Sequence, residues 1–146
     1  MNAYTLDCII SEGEEGRRAF DRRFRWLCEI PHNQLPPGWP RYTGWRVVDA
    51  QGRRSGVVED LVVDGVLNRP YMALVRTGSL LGGSSLFLVP LRLLAPSGAR
   101  SLELAAPREV LLRAPRWSSL WDENEVLSYW APVGDAAWVE SGAPAR

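Results

Sequence analysis

The sequence predicts a mainly β protein, a small β-barrel with a short α/β extension before it and helical turns after it. Three observations carry that reading. Between Gly44 and Leu94, short apolar runs alternate with Gly, Asp, Asn and Pro punctuation about every ten residues. Inside the runs, Val, Leu, Phe and Tyr recur with the two-residue period of a pleated strand. A hydrophobic content of 46% over 146 residues is enough for one domain with its own core.

The elements follow in chain order. Tyr4, Leu6, Cys8 and Ile10 alternate with Thr5 and Asp7, as in a half-buried strand. Ser11-Glu12-Gly13-Glu14 has the spacing of a capping box. Phe20, Phe24, Leu27 and Cys28 then share one helical face, which predicts a helix. The alternation of Phe24, Trp26, Cys28 and Ile30 competes with it as a strand. Pro31, Pro36, Pro37 and Pro40 predict an extended connector up to Tyr42.

The barrel region starts at Gly44. Trp45 and Val47 share one face of a first strand, and Ala50-Gln51-Gly52-Arg53 makes a turn. A second strand runs from Gly56 to Val63. Its period slips, because Val58 falls on one face and Leu61 and Val63 on the other. A β-bulge near Glu59 and Asp60 reconciles them. This strand is also a candidate sheet edge, open to pairing with a second copy. Asp64-Gly65 and Asn68-Arg69 bracket a turn, Tyr71 to Val75 forms a third strand, and Gly78, Gly82 and Gly83 form a loop. Leu86 to Pro90 is a fourth strand, with Pro at its end, where no ladder donor is needed. Leu102 and Leu104 mark a fifth. Pro107 suits the first position of a short helix that folds Val110, Leu111 and Ala114 over the barrel mouth. Asp122 to Trp130 reads as a final helix burying Leu120, Val126, Leu127 and Trp130, and 131–146 as a frayed tail. The chain thus divides into an extension at 1–43, a barrel at 44–117 and a C-terminal helix and tail at 118–146.

Composition narrows the function classes. Seventeen basic residues balance seventeen acidic ones, so no overall field draws the chain to DNA or to an acidic membrane. All seventeen are Arg. No apolar run is long enough to span a bilayer, and no basic stretch with an apolar run follows the N-terminus. These features predict a cytoplasmic protein. Cys8 and Cys28 have no metal-site spacing, and their apolar flanks favour buried free thiols over the alternative, a structural disulfide between their two segments.

The barrel region resembles a known family. Val47-Val48-Asp49 with Gly52, then Gly56-x-Val58-x-Asp60-Leu61-Val62-Val63-Asp64, then Tyr71-Met72-Ala73-Leu74-Val75 with Leu88-Val89-Pro90, and last Leu104-Ala105-Ala106-Pro107-Arg108-Glu109-Val110-Leu111 with Ala114-Pro115 resemble the successive segments of the PRC-barrel. That family is named for the photosynthetic reaction centre H subunit, and the C-terminal domain of the bacterial ribosome maturation factor shares its fold. The likeness spans Gly44 to Trp117. Ser55 departs from the pattern, standing where an aliphatic residue is usual. The resemblance implies a PRC-type barrel and a non-catalytic docking module for a protein partner. Small free-standing bacterial members of the family have sometimes stress-linked roles.

Catalytic chemistry finds little support. His32 is the only histidine and sits in the proline-rich connector, and no Ser occupies a G-x-S-x-G elbow. The loop Gly78 to Ser85 has no Lys and no G-x-G-x-x-G spacing for a phosphate cradle. Glu59, Asp60 and Asp64 lack the ligand spacing of a calcium loop. No catalytic residue, cofactor or metal is assigned. Two clusters remain as candidate contact sites. Arg17, Arg18, Arg22, Arg23 and Arg25, interleaved with Phe20, Phe24 and Trp26, are candidate RNA contacts, although Glu12, Glu14, Glu15 and Asp21 neutralise much of the charge. Trp117, Trp121, Tyr129 and Trp130 belong to a chain with seven Trp, and they either bind a protein partner or a second copy in a homodimer, or cap an undersized core.

Overall fold

The computed structural model describes residues 23–78, 83–118 and 120–140. Its centre is a seven-stranded sheet of β1 (Phe24–Trp26), β2 (Arg46–Val48), β3 (Arg54–Asp64), β4 (Arg69–Gly78), β5 (Ser84–Pro90), β6 (Leu94–Pro96) and β7 (Ser101–Leu104). The strand order is β5-β4-β3-β2-β7-β6, with β1 also paired to β3. All pairings are antiparallel except β2 with β7.

Connectivity forces the sheet to curl. In a flat sheet, spacings of ~4.8 Å would hold β5 and β6 about 24 Å apart. Only the single 3-10 turn Leu91–Leu93 separates them in the chain, a link that reaches at most about 14 Å. The result is a half-barrel whose two edges are joined by a covalent corner.

β3 organises this curl. β4 runs along one of its edges from Val57 to Asp64, and the other edge carries β2 at Arg54 to Val57 and β1 at Val62 to Asp64. The register slips between Val58 and Asp60, which is the predicted bulge. A second cause also blurs the period. Every residue from Asp60 to Asp64 is buried, as are Met72 to Val75 and Phe87 to Val89, so both faces of these strands are covered.

The outer cover comes from outside the barrel strands. The helix α2 (Glu123–Glu140) packs on β5, and the Trp130 indole, fully buried, donates a 3.0 Å hydrogen bond to the Leu88 carbonyl. The N-terminal segment contributes Phe24, Trp26 and Leu27. A continuous series of rings links the two covers. Tyr71 stacks on Phe24 (5.7 Å), Phe24 meets Trp121 (5.5 Å), Trp121 meets Trp117 (5.9 Å) and Trp117 meets Trp26 edge-on (5.3 Å). Asp122 caps α2 by accepting the Asn124 amide at 2.9 Å. The short helix α1 (Arg108–Leu112) buries Leu111, with Pro107 standing just before its first residue.

Several expectations are corrected. Phe24–Trp26 is a strand, because its amides find the free edge of β3 beyond the end of β2; the 3-10 turn Leu27–Glu29 follows it. The proline-rich connector contains the turn His32–Gln34 and is not simply extended. The Gly56–Val63 segment is no sheet edge, since β3 has partners on both sides, and this removes it as a dimer seam. α2 continues through Pro132 to Glu140 where a frayed tail was expected. Leu120 is exposed rather than buried, because it precedes the helix on the Ser118–Trp121 turn. β6 was not anticipated. Cys28 is buried but disulfide-bonded rather than a free thiol, while Cys8 and Tyr4 to Arg22 of the N-terminal reading lie outside the described residues. Ser55 fits its buried place because its hydroxyl donates to the Arg53 carbonyl.

Gly56 marks a tight crossing. A Cβ there would stand 2.7 Å from the Arg76 carbonyl oxygen and 2.8 Å from Val75 Cγ1. Gly56→Ala is expected to force β3 and β4 apart and to lower stability by about 1–3 kcal/mol in urea unfolding, whereas Gly38→Ala, with open space around it, should change little.

Candidate functional site

The buried carboxylate of Asp49 builds the mouth of the half-barrel. One oxygen, Oδ1, accepts the amides of Gln51 (2.9 Å) and Arg53 (2.7 Å), which closes the β2–β3 turn around Gly52 at φ +82°. The other, Oδ2, accepts Arg53 Nε (2.8 Å) and the Arg108 amide (2.8 Å), the first N–H of α1. The Arg53 guanidinium then reaches Glu109 through a two-pronged contact at 2.9 and 2.7 Å. Asp49 thus caps a helix that lies far from it in sequence. Burial alone would raise its pKa, but the hydrogen bonds from Arg53, Arg108 and Gln51 outweigh this and lower it to about 2. Glu109 is likewise held down to about 2, chiefly by the Arg53 side chain.

Beside this clasp the sheet opens. The β3–β4 ladder stops at Val57 and Arg76. Beyond that point β3 turns to β2, while β4 continues with β5 as far as Gly78. The strands part around a cavity of about 500 Å³ lined by Arg54, Gly56, Val57, Arg76, Arg108 and Leu112. Arg108 Nη1 lies 3.4 Å from the Arg54 carbonyl. Arg76 is ion-paired with Glu59. Among the described residues, no carboxylate forms an ion pair with Arg54 or Arg108. On the far side of Arg76 lies a smaller recess of about 340 Å³, bounded by Glu59, Ser84, Ser85, Arg116 and Trp117.

The expected contact residues are distributed unevenly. Trp117 and Trp121 are half-buried neighbours in the ring series, and Trp121 adjoins the 89% exposed Leu120. Tyr129 is half-buried, and its hydroxyl donates to the Val110 carbonyl, tying α2 to α1. Trp130 is 0% exposed, so it is core and presents no surface. Arg17, Arg18 and Arg22 lie outside the described residues. Arg25 is exposed on β1. Arg23 is engaged within the fold. Its Nη2 bonds Asp64 at 3.0 Å, its Nη1 bonds Glu123 at 3.1 Å, and its guanidinium carbon stands 4.7 Å from the centre of the Phe24 ring. Glu123 also accepts the Tyr71 hydroxyl at 2.8 Å. Burial and that bond push the Tyr71 pKa up to about 12.

The arginines of the cavity escaped sequence reasoning. Arg54, Arg76 and Arg108 lie on a strand start, a strand end and a helix start, and only the topology gathers them. With seventeen Arg in the chain, nothing local distinguishes these three.

Asp49 has a depressed pKa in the fold, so its stabilisation is complete above the ordinary carboxylate range near 3.8 and disappears as pH falls through about 2. The urea midpoint is expected to be flat from neutral pH down to about 5 and to drop between about 4 and 2. Asp49→Asn should cost about 3 kcal/mol at neutral pH, because it breaks a buried charge network. It should also shrink the acid limb without abolishing it, since Asp64 and Glu109 titrate in the same sense.

No helix among the described residues is long and apolar enough to cross a membrane. No curated protein matches the chain. A family model described as PRC-barrel domain matches residues 39–111, half of the sequence and the span from the connector through β7 to α1. With a half-barrel built from those same residues, the chain belongs to the PRC-barrel domain family.

Proposed function

We propose that this chain is a non-catalytic adaptor that docks a protein partner on the exterior of its half-barrel. PRC-barrel domains are generally non-catalytic, and membership in the family supports that part of the reading. The observation that carries the docking role is the surface at the start of α2. There Leu120 stands 89% exposed next to Trp121 in the chain, whose half-buried ring meets that of Trp117. A large apolar side chain held in water next to aromatic anchors suits a protein contact better than a solvated surface. Arg23 is held by Asp64 and Glu123, which counts against the alternative of an RNA- or ribosome-associated factor working through the Arg-rich segment. Charge balance and short apolar runs support a cytoplasmic setting, and the disulfide at Cys28 counts against it, because such bonds persist in oxidising compartments.

Leu120→Asp separates docking from folding, because a surface substitution should shift stability by no more than about 0.5 kcal/mol. In affinity capture from the native cell and in sedimentation of the purified chain, the unmodified protein should retain a partner or self-associate, and the variant should lose that association at an unchanged melting temperature. A monomer that captures nothing, or a variant that retains everything, would contradict the docking role.

A further inference from the structure

The cavity where β3 and β4 part has the composition of a receptor. Its rim carries Arg54 and Arg108, neither of them ion-paired among the described residues, and its walls carry Val57 and the 47% exposed Leu112. A volume of about 500 Å³ is within the range of ligand sites and holds a few side chains. The geometry also offers main chain. Past Val57 and Arg76 the two strands no longer bond each other, and beyond the tight contact at Gly56 the main chain of Arg54 and Ser55 on β3 and of Thr77 and Gly78 on β4 lines the gap. At Gly78 a Cβ would meet nothing within 4 Å, so that edge is uncovered. Edges of this kind bind extended polypeptide by main-chain hydrogen bonds, while flanking pockets select alternate side chains.

We propose that this cleft receives an extended acidic segment of a partner protein, with Arg54 and Arg108 pairing its carboxylates and Val57 and Leu112 contacting an intervening apolar side chain. The proposal rests on the docking reading and adds the partner's chemistry and a second surface, distinct from Leu120. Charge complementarity selects an acidic occupant, because a guanidinium fork matches a carboxylate with two parallel bonds. The apolar walls and strand edges select a peptide over a free small anion, which would use the arginines alone. Nucleic acid is the poorer fit. The residues lining the cavity include no aromatic ring for base stacking, and the chain carries no net charge.

The clasp described above supports this use. Asp49 holds the Arg108 amide and the Arg53 turn together, so the start of α1 and the start of β3 are fixed relative to each other. Arg54 and Arg108 are the side chains that follow from that fixation. The third arginine, Arg76, is already paired with Glu59 and acts as the wall between this cleft and the smaller recess.

The test is fluorescence anisotropy on the full chain with a labelled peptide of alternating Glu and Leu. The matching Gln-Leu peptide, a labelled oligouridylate, free glutamate and inorganic phosphate serve as comparisons. The acidic peptide should bind saturably and weaken with added salt, the Gln-Leu peptide should bind at least about tenfold more weakly, and Arg54→Ala should reduce affinity about tenfold. Arg108→Ala should do the same. Because Arg108 also contacts the Arg54 carbonyl, Arg54→Ala and Leu112→Asp at the exposed rim keep the test valid if Arg108→Ala misfolds. Any of four results overturns the assignment: no saturable binding of the acidic peptide, equal binding of the Gln-Leu peptide, tighter binding of oligouridylate, or affinity unchanged in Arg54→Ala and Leu112→Asp. Complete displacement by millimolar glutamate or phosphate would reassign the cleft to a small anion and overturn the peptide. Failure here with Leu120-dependent capture intact would remove this site alone and leave the docking role standing.

Discussion

A single carboxylate, that of Asp49, is the constraint on which the rest of this structure depends. It is fully buried and accepts four N–H donors from two parts of the chain, the turn after β2 and the start of α1. A buried charge is costly unless its lone pairs are occupied, and here three backbone amides and one guanidinium nitrogen occupy them. The consequence is geometric. The β2–β3 turn, the first turn of α1 and the Arg53–Glu109 pair form one connected unit at the mouth of the half-barrel. Asp64 repeats the device at the other end of β3, where it accepts the Val66 and Leu67 amides and the Arg23 side chain.

Much of the fold was legible because it is local. Strand periodicity and turn residues locate β2 to β5 and β7, and the slip between Val58 and Leu61 marks the bulge in the sequence itself. The rest was not legible, for identifiable reasons. Phe24 to Trp26 satisfies both a helical and a strand pattern, and the choice was made by a free stretch of β3 edge about forty residues away, a tertiary effect that local propensity cannot encode. Pro132 ordinarily ends a helix, yet α2 continues past it. Trp130 and Trp121 look alike in sequence, but one lies under the sheet cover with its indole N–H bonded to Leu88 and the other lies half-buried in the middle of the ring series, between Phe24 and Trp117. Arg53, Arg54 and Arg108 differ only in what the topology sets beside them.

The half-barrel therefore carries two kinds of surface with different physical origins. Around Leu120 an apolar side chain is left in water by a turn that closes too early to bury it. At the parting of β3 and β4 the guanidinium groups of Arg54 and Arg108 form no ion pair among the described residues, whereas Arg53 and Arg23 are paired. The contrast matters for function. Arg53 and Arg23 hold this fold together through their ion pairs, and the proposed acidic contact falls to Arg54 and Arg108.

The central claim is that Asp49 fixes α1 to the β2–β3 turn, and amide hydrogen exchange at Arg108 tests it most directly. Arg108 is the first residue of a five-residue helix, a position whose N–H has no partner within its own helix. The account predicts that this amide exchanges only with global unfolding, as slowly as the amides of the β3–β4 ladder. Exchange at the rate of an unprotected chain end, in a protein whose β3–β4 amides remain protected, would contradict it.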